Sequence, residues 1–216
     1  MGEAFLHGQG SAGGGGEVDT RFKDLIEGTL TEIDDDTITS IDGFVFYKCL
    51  SLTSVNFPLA TSIGNSAFDG CSKLTSVNFP LVTSIGSSAF NECSSLTSVN
   101  FPLVTSISTG TISYCSSLTS VDFPLVTSIG GYAFRGDSSL TSLILRTTTQ
   151  VCSLNNKSAF WDTPMISGTG YIYVPSALIE DYKAATNWST YAAQFRALED
   201  YTIDGTVTGE LDPTKI

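Results

Sequence analysis

A block of 22 residues recurs through the middle of this chain and constrains its fold more than any other feature of the sequence. Cys49, Cys71, Cys93 and Cys115 mark this period, and Asp137 occupies the next equivalent position. The text between them is nearly constant, as in SLTSVNFPLATSIGNSAFDGC and KLTSVNFPLVTSIGSSAFNEC. A short fixed period is typical of a solenoid, in which each repeat must stack on its neighbours to bury a core. We therefore predict a repeat solenoid, built mainly of β coils of 22 residues, with short helical caps at both ends.

One repeat, read residue by residue, assigns side chains to the inside and the outside of a coil. Val77 and Phe79 alternate inward on a short strand, and Pro80 ends that strand because proline cannot donate to a ladder. A second inward set is expected to follow, formed by Leu81, Val82 and Ile85. Gly86 should allow a tight bend. The last apolar side chains of the repeat then return to the core, and these are Ala89, Phe90 and Cys93.

The cysteine positions allow two structural interpretations. Adjacent coils lie about 4.8 Å apart, so disulfides along the stack are not excluded by distance. A buried ladder of free thiols is favoured, because a small apolar cysteine packs well and stacked coils need no staples. Structural zinc sites use cysteine pairs about three residues apart, which this spacing does not provide.

The repeat resembles the BspA-like leucine-rich repeats of bacterial surface proteins, which also occur in prophage-encoded proteins. That family's repeat carries A-F-x-x-C followed by L-x-x-[VI]-x-[FI]-P, and Ala89-Phe90-x-x-Cys93 followed by Leu96 to Pro102 matches it. The resemblance covers about residues 30–145 and departs from the pattern at Ser108, Thr111, Ile112 and Asp137. It implies a leucine-rich-repeat fold and a role in adhesion to host matrix proteins or other cells.

Composition divides the chain into a repeat region and two different ends. We predict a flexible Gly-rich leader over residues 1–17, an N-terminal helical cap over 18–29 and a leucine-rich-repeat solenoid over 30–146. A C-terminal capping module should follow over 147–202, and a tail over 203–216. Within the C-terminal module, the segment 170–175 should contain a strand. Ser176 should cap a helix through Ala185, and Ser189 should cap a second helix through about Phe195. This module resembles the one that follows such repeats in gut bacterial and prophage proteins.

Charge and single-residue counts exclude several classes of function. The net charge of −12 argues against nucleic acid or an anionic membrane surface as a partner. No apolar run approaches the roughly 18 residues of a membrane span, so no membrane insertion is expected. His7 is the one histidine, which removes histidine-based catalysis and metal binding. We therefore expect no enzyme, no cofactor and no metal, and interpret Asp34, Asp35 and Asp36 as a solvated edge rather than a weak Ca²⁺ site.

Variation among the repeats points to a candidate binding surface. Change concentrates in the pair after the glycine and in the pair before the cysteine, which should lie along one edge of the solenoid. Tyrosine and arginine dominate contacts with proteins and glycans. The candidate ligand-binding residues are Tyr47, Lys48, Asp69, Asn91, Glu92, Tyr114, Tyr132 and Arg135. Drift of unconstrained loop positions would give the same variation, and the strand-face ladders of Ser54, Ser76, Asn56, Asn78 and their equivalents could bind an extended ligand instead.

Two functional hypotheses follow from these observations. The first is a non-catalytic binding module that recognises a protein or glycan ligand, on a bacterial cell surface or in a secreted protein, as a monomer or as part of a longer assembly. The second is a structural or receptor-contacting component of a phage or prophage virion. The sequence begins without an apolar signal region, so either the chain is not exported by that route or it is a fragment whose signal was removed or lies on a longer precursor.

Overall fold

The computed structural model describes residues 6–8 and 28–201, which form a stack of coils joined by parallel strands. Each coil begins at an equivalent leucine, from Leu30 in coil 1 onwards, although the rest of the first repeat is more divergent in sequence. Strand partners in neighbouring coils are one repeat apart, as where Ser54 lies opposite Ser76. We number the coils 1 to 6, over residues 30–51, 52–73, 74–95, 96–117, 118–139 and 140–167.

Short runs of Thr, Ser, Val and Ile form the strands, because β-branched residues suit a pleated and half-buried surface. In chain order the strands are β1 (Leu6–Gly8), β2 (Glu32–Asp34), β3 (Ile38–Ile41), β4 (Ser54–Asn56), β5 (Ser62–Ile63), β6 (Ser76–Asn78), β7 (Ser84–Ile85), β8 (Ser106–Ile107), β9 (Ser120–Phe123), β10 (Ser128–Ile129), β11 (Ser142–Leu145), β12 (Ser153–Leu154), β13 (Tyr171–Val174) and β14 (Phe195–Ala197).

The described strands group into four sheets, two along each side of the stack. One side carries the sheets β2-β4-β6 and β9-β11-β13-β14, and the other carries β1-β3-β5-β7 and β8-β10-β12. The pairs are parallel except that β1 runs antiparallel to β3. Coil 4 has no strand over residues 96–100, which separates the two sheets on the first side.

A line of stacked aromatic rings forms the centre of the core. Phe46, Phe68 and Phe90 are fully buried, with ring centroids 5.0 and 5.2 Å apart from coil to coil. Ile112 takes the same position in coil 4, and the line then continues to coil 6, where the rings of Phe134 and Phe160 lie 5.3 Å apart. The inward placement predicted for Phe90 is therefore confirmed.

The cysteines are free thiols, as the sequence predicts. Each buried thiol of the repeat donates to a backbone carbonyl of the preceding coil, and the Cys71 Sγ lies 3.0 Å from the Phe46 oxygen. Cys93 and Cys115 make the equivalent contacts at 3.2 Å. This line of side chains, which we call the cysteine column, therefore contributes hydrogen bonds as well as packing.

The inward placement predicted for Leu81 is wrong. Its side chain is 41% exposed, whereas Val82 is fully buried. The Val82 N–H donates to the Phe79 carbonyl at 3.4 Å, so Pro80 and Leu81 are the two central residues of a tight turn and project away from the core. The equivalent leucines of coils 2, 4 and 5 are exposed in the same way, and these are Leu59, Leu103 and Leu125.

Strand stacking continues past residue 146, where we predicted the end of the solenoid. In coil 6, β12 pairs with β10, and the Phe134 N–H donates to the Ala159 carbonyl at 2.9 Å. Beyond coil 6, β13 and β14 extend the sheet on one side. The division between solenoid and C-terminal module therefore lies within a continuous stack rather than at a gap.

The segment after β12 contains short helices whose aromatic side chains pack against the last ring of the core. The helices are the 3₁₀ helices Lys157–Phe160, Ser176–Leu178, Trp188–Gln194 and Leu198–Asp200 and the α-helices Pro164–Ser167 and Ile179–Ala184. Trp188 and Tyr191 are fully buried, with ring centroids 5.8 and 5.3 Å from that of Phe160. The strand predicted at 170–175 is present, but Ser176 makes no cap as the first residue of its helix, and Ser189 lies inside a helix that begins at Trp188.

The predictions for the two ends are tested at few positions. Within the leader 1–17, the structure differs from the flexible segment we expected at Leu6–Gly8, which pair with β3. The helix expected between residues 18 and 29 lies outside the described residues except for its last two positions, and so does the tail 203–216. The helical caps therefore stay predictions.

Candidate functional site

The two positions that follow the buried Phe or Ile at the centre of each coil form one line along the surface of the solenoid, which we call the variable edge. The first position of each pair is occupied, from coil 1 to coil 6, by Tyr47, Asp69, Asn91, Ser113, Arg135 and Trp161. The second position is occupied by Lys48, Gly70, Glu92, Tyr114, Gly136 and Asp162. Seven of the eight candidate residues predicted from the sequence lie on this edge, and Tyr132 lies three residues before Arg135.

Backbone geometry fixes the variable edge in place. In each coil the second residue of the pair has a positive φ, between 56° for Lys48 and 78° for Gly70. In this conformation its N–H reaches the carbonyl of the first position in the next coil, as from Glu92 to Ser113 at 2.9 Å and from Gly136 to Trp161 at 2.8 Å. The edge is therefore a rigid ladder, on which side chains vary without altering the backbone.

The middle of the variable edge satisfies its own polar groups. The Asn91 amide donates to the Asp69 carboxylate at 2.8 Å, and the Ser113 hydroxyl donates to the Asn91 oxygen at 2.7 Å. Asp69 and Asn91 are half-buried, and Ser113 is buried. These residues mainly connect neighbouring coils and offer few free groups to a ligand. Glu92 is exposed in the same region.

Tyr47 and Lys48 form a separate small site at coil 1. The Lys48 ammonium lies 5.2 Å from the centre of the Tyr47 ring, and the exposed Phe44 meets the same ring edge-on at 6.0 Å. Three coils separate this site from Tyr114, a distance of about 15 Å at the usual spacing of strands. The structure therefore does not bring Tyr47 and Lys48 together with the other candidate residues.

Coils 4 to 6 bring the remaining candidates into one group, which we call the aromatic cluster and which consists of Tyr114, Tyr132, Arg135, Trp161 and Asp162. The Arg135 guanidinium lies 5.6 Å from the ring centres of Tyr114 and Tyr132 and 5.9 Å from that of Trp161. Tyr132 and Trp161 meet edge-on at 5.7 Å. Asp162 lies 3.8 Å from the Arg135 Nε. Such cation–π contacts hold the guanidinium among the rings.

The aromatic cluster contains two residues that the sequence analysis missed, Trp161 and Asp162. They belong to coil 6, in which Ala159 and Phe160 repeat the Ala-Phe pair of the family motif. The step from Ala133 to Ala159 is 26 residues instead of 22, so a strictly periodic alignment does not reach them. The recurring Ala-Phe pair was the available signal.

The strand-face ladders, the other candidate surface, largely bond to themselves. Asn78 donates to Asn56 at 2.6 Å, and Asn56 donates to Asp34 at 2.7 Å. In coil 5, the Asp122 carboxylate accepts from Arg146 at 2.7 Å. These contacts support a structural role for the ladders and leave the aromatic cluster as the better candidate for recognition.

The cysteines of the described residues are poor nucleophiles. Burial raises the pKa of Cys49 to about 11 and that of Cys152 to about 12, so both thiols stay protonated at neutral pH. Burial likewise raises the pKa of Cys71 to about 12. Within the described part of the chain, no three His, Cys, Asp or Glu side chains are grouped closely enough to hold a metal ion.

The fold and the edge together define a leucine-rich-repeat protein with parallel strands in repeating sheets. Residues 29–167 match the model of the BspA type leucine rich repeat region, in six copies. The chain belongs to this family, as its repeated Ala-Phe and Cys positions predict. No curated protein sequence matches it.

Several solved structures resemble the chain over part of its length. A leucine-rich-repeat protein of T. pallidum is 35% identical with a TM-score of 0.49, over 51% of this chain and 53% of that one. A leucine rich cell surface protein of Faecalibacterium prausnitzii is 32% identical with a TM-score of 0.42, over 56% of this chain and 40% of that one. The pneumococcal vaccine antigen PcpA is 16% identical with a TM-score of 0.53, over 78% of this chain and 40% of that one, and shares the fold.

The chain thus spans about half the length of the T. pallidum protein and two fifths of the other two. Within residues 6–8 and 28–201, no helix combines the length and the apolar character that crossing a membrane requires.

Proposed function

We propose that the protein is a non-catalytic binding module, at a bacterial cell surface or in a secreted protein, that recognises a protein or glycan ligand through its variable edge. The observation that carries this proposal is the aromatic cluster, where Tyr114, Tyr132 and Trp161 are each 40–41% exposed around one arginine. Tryptophan, tyrosine and arginine are the side chains that most often supply binding energy at interfaces. Membership of the BspA type repeat family supports the surface location.

The rigidity of the edge supports the same proposal. A ligand that docks on a preformed ladder of side chains meets groups whose backbone is already ordered, and the entropy cost of binding is therefore small. Single contacts of modest strength gain further when a module is presented in several copies. A stack of coils with a rigid exposed edge suits a protein that binds a ligand without catalysing a reaction.

A binding panel tests the proposal. The purified protein, presented both singly and on beads, is exposed to host matrix proteins, glycans and whole bacterial cells. A variant with Tyr132→Ser, Arg135→Ser and Trp161→Ser is compared with a control in which Leu59→Ser, Leu81→Ser and Leu103→Ser remove exposed leucines away from the edge.

We expect the parent and the leucine control to bind and the edge variant to lose binding. Binding by the edge variant but not by the leucine control would place the site at the exposed leucines and contradict the choice of edge. A parent protein that binds nothing, even on beads, would contradict the binding function itself.

A further inference from the structure

We propose that the aromatic cluster anchors an interface with a protein partner whose docking surface carries basic side chains. This inference rests on the function proposed above and adds the class and the charge of the ligand. It is carried by the geometry of the rings and by the carboxylates that flank them.

The rings have the properties of an interface anchor. Tyr114, Tyr132 and Trp161 are close to 60% covered by their own protein, which restricts their orientation, and the rest of each residue is exposed. The Tyr114 ring lies against the backbone of Gly136, since a Cβ built on that glycine would lie 2.5 Å from the ring. Large and preordered aromatic side chains of this kind bind protein surfaces at a low entropy cost.

The charges around the rings select the partner. Along the line of second positions, Glu92 lies on one side of Tyr114, and Asp162 lies beyond Gly136 on the other. The cation inside the cluster, Arg135, is held among three rings, and Asp162 lies 3.8 Å from its Nε, so Glu92, Asp162 and Arg135 together keep a net charge of about −1. Because the whole chain carries −12, its field attracts a basic surface and repels an acidic one.

A neutral sugar could also stack on these rings, but it would gain nothing from the flanking carboxylates. A basic peptide gains binding energy both from the rings and from the carboxylates. Its attraction to Glu92 and Asp162 weakens as salt screens the charges. The charge dependence of binding therefore separates the two classes of ligand.

The probe is a random linear peptide library, selected on the immobilised parent protein, with a glycan array screened in parallel. Binding of a selected, dye-labelled peptide is measured by fluorescence anisotropy, which does not depend on Trp161, and its contact with the parent protein is followed by tryptophan fluorescence. The chain has two tryptophans, of which Trp188 is fully buried and Trp161 is 41% exposed. Protection from a soluble quencher therefore reports contact at Trp161.

Two sets of variants separate anchor from charge. Trp161→Ala removes the anchor, and Trp161→Phe restores a ring at the same position. The pair Glu92→Gln and Asp162→Asn removes the flanking charges, and the pair Asp36→Asn and Asp181→Asn removes two exposed carboxylates elsewhere, with the same change in net charge.

We expect selected peptides to be rich in Lys and Arg and to protect Trp161 from quenching. Trp161→Ala should weaken binding by at least about tenfold, and Trp161→Phe should recover most of it. The variant lacking Glu92 and Asp162 should lose about three- to tenfold at low salt, while the matched control changes little.

Peptides without a positive bias, or equal losses in the two charge variants, would overturn the inference and leave the binding function intact. Glycan binding that protects Trp161 would do the same and assign the cluster to sugars. Peptide affinity that is unchanged in Trp161→Ala would show that Trp161 does not anchor the interface and would overturn the inference. Absence of any ligand in both screens would overturn the binding function as well.

Discussion

Asp137 is the residue whose environment departs most from the rest of its column. It occupies the position of a cysteine, is fully buried, and accepts a hydrogen bond from the Cys115 N–H at 2.7 Å through Oδ1. Its Oδ2 is buried without a hydrogen-bond partner. Burial raises the pKa of Asp137 well above its usual range, and the bond from Cys115 opposes this only in part. The carboxyl group is therefore a weak point in an otherwise apolar column.

Replacing Asp137 by cysteine should stabilise the protein at neutral pH by about 1–3 kcal/mol, the usual cost of an unpartnered buried polar group. The Cys115 N–H loses its acceptor and should turn to the carbonyl three residues earlier, as the Cys93 N–H does to Phe90 at 3.3 Å. The new thiol would continue a column in which Cys71, Cys93 and Cys115 each donate to the carbonyl 25 residues earlier. Urea unfolding of the parent and of Asp137→Cys, at matched pH, measures the difference.

The same comparison has a pH dependence of known sign. In the unfolded chain Asp137 ionises near its usual pKa of about 4, whereas the folded chain keeps it neutral to higher pH. The parent therefore loses stability relative to Asp137→Cys as the pH rises above about 4, and the gap should narrow towards acid. Asp137→Asn has no ionisable group at this position, so its stability relative to Asp137→Cys should not change with pH between about 4 and 7. A gap that stays constant or widens towards acid would contradict a buried, neutral carboxyl.

At the residue scale, the repeat predicts which positions are equivalent from coil to coil, but not in every case whether the side chain points into the core or out to solvent. Phe90, Cys93 and Ile85 were predicted to lie inside and do so, because each has an equivalent in several coils. Leu81 is just as regular and is exposed. Periodicity shows that a position is equivalent from coil to coil, and only the turn that follows Phe79 decides which way its side chain points.

Among the elements, the glycines that follow the second strand of coils 2, 3 and 5, which are Gly64, Gly86 and Gly130, show what the stacking distance demands, whereas coil 4 carries Ser108 at this position. A Cβ built on Gly86 would lie 2.5 Å from the backbone nitrogen of Asn65, and one built on Gly64 would lie 2.3 Å from that of Gly43. Neither glycine has a positive φ. The bend that we predicted for Gly86 is therefore not the reason for glycine at this position, which instead permits close approach of two backbones.

Gly86→Ala should therefore destabilise the protein by about 1–3 kcal/mol, the usual cost of overpacking a site that cannot expand. Gly131→Ala is the matched control, since its Cβ would lie 3.4 Å from the nearest atom, the Asn156 Cβ. The control should change stability by less than about 0.5 kcal/mol. Chemical denaturation of both variants tests this, and equal effects would show that the backbones separate easily.

The elements also show where the sequence was least informative. Coil 6 keeps the two strands and the buried ring of a repeat, but four additional residues shift Ala159 out of the 22-residue register. A fixed period therefore predicts coils 1 to 5 and misses the sixth. This omission concealed Trp161 and Asp162, while Tyr114, Tyr132 and Arg135 were found because their coils keep the register.

Across the whole molecule, stability depends on how the open end of the core is covered. Beyond Phe160, the fully buried rings are those of Trp188, Tyr182 and Tyr191. The indole of Trp188 donates to the Cys152 carbonyl, and the Tyr182 hydroxyl accepts from the Cys152 N–H at 2.9 Å. These contacts join the last helices to coil 6, as expected if the C-terminal segment acts as a cap.

Trp188→Ala should cost about 3–5 kcal/mol, because it removes a fully buried ring from the end of the core. In a solenoid each coil contacts only its neighbours, so the loss should fall mainly on the coils nearest the change. Amide hydrogen exchange should therefore lose protection around β12 and β13 before it does so around β4 and β5. Trp161→Ala makes the same substitution at an exposed ring and should leave exchange unchanged. Equal loss of protection in every coil would show instead that the stack unfolds as a single cooperative unit, and the C-terminal segment would then stabilise the whole solenoid rather than its last coils.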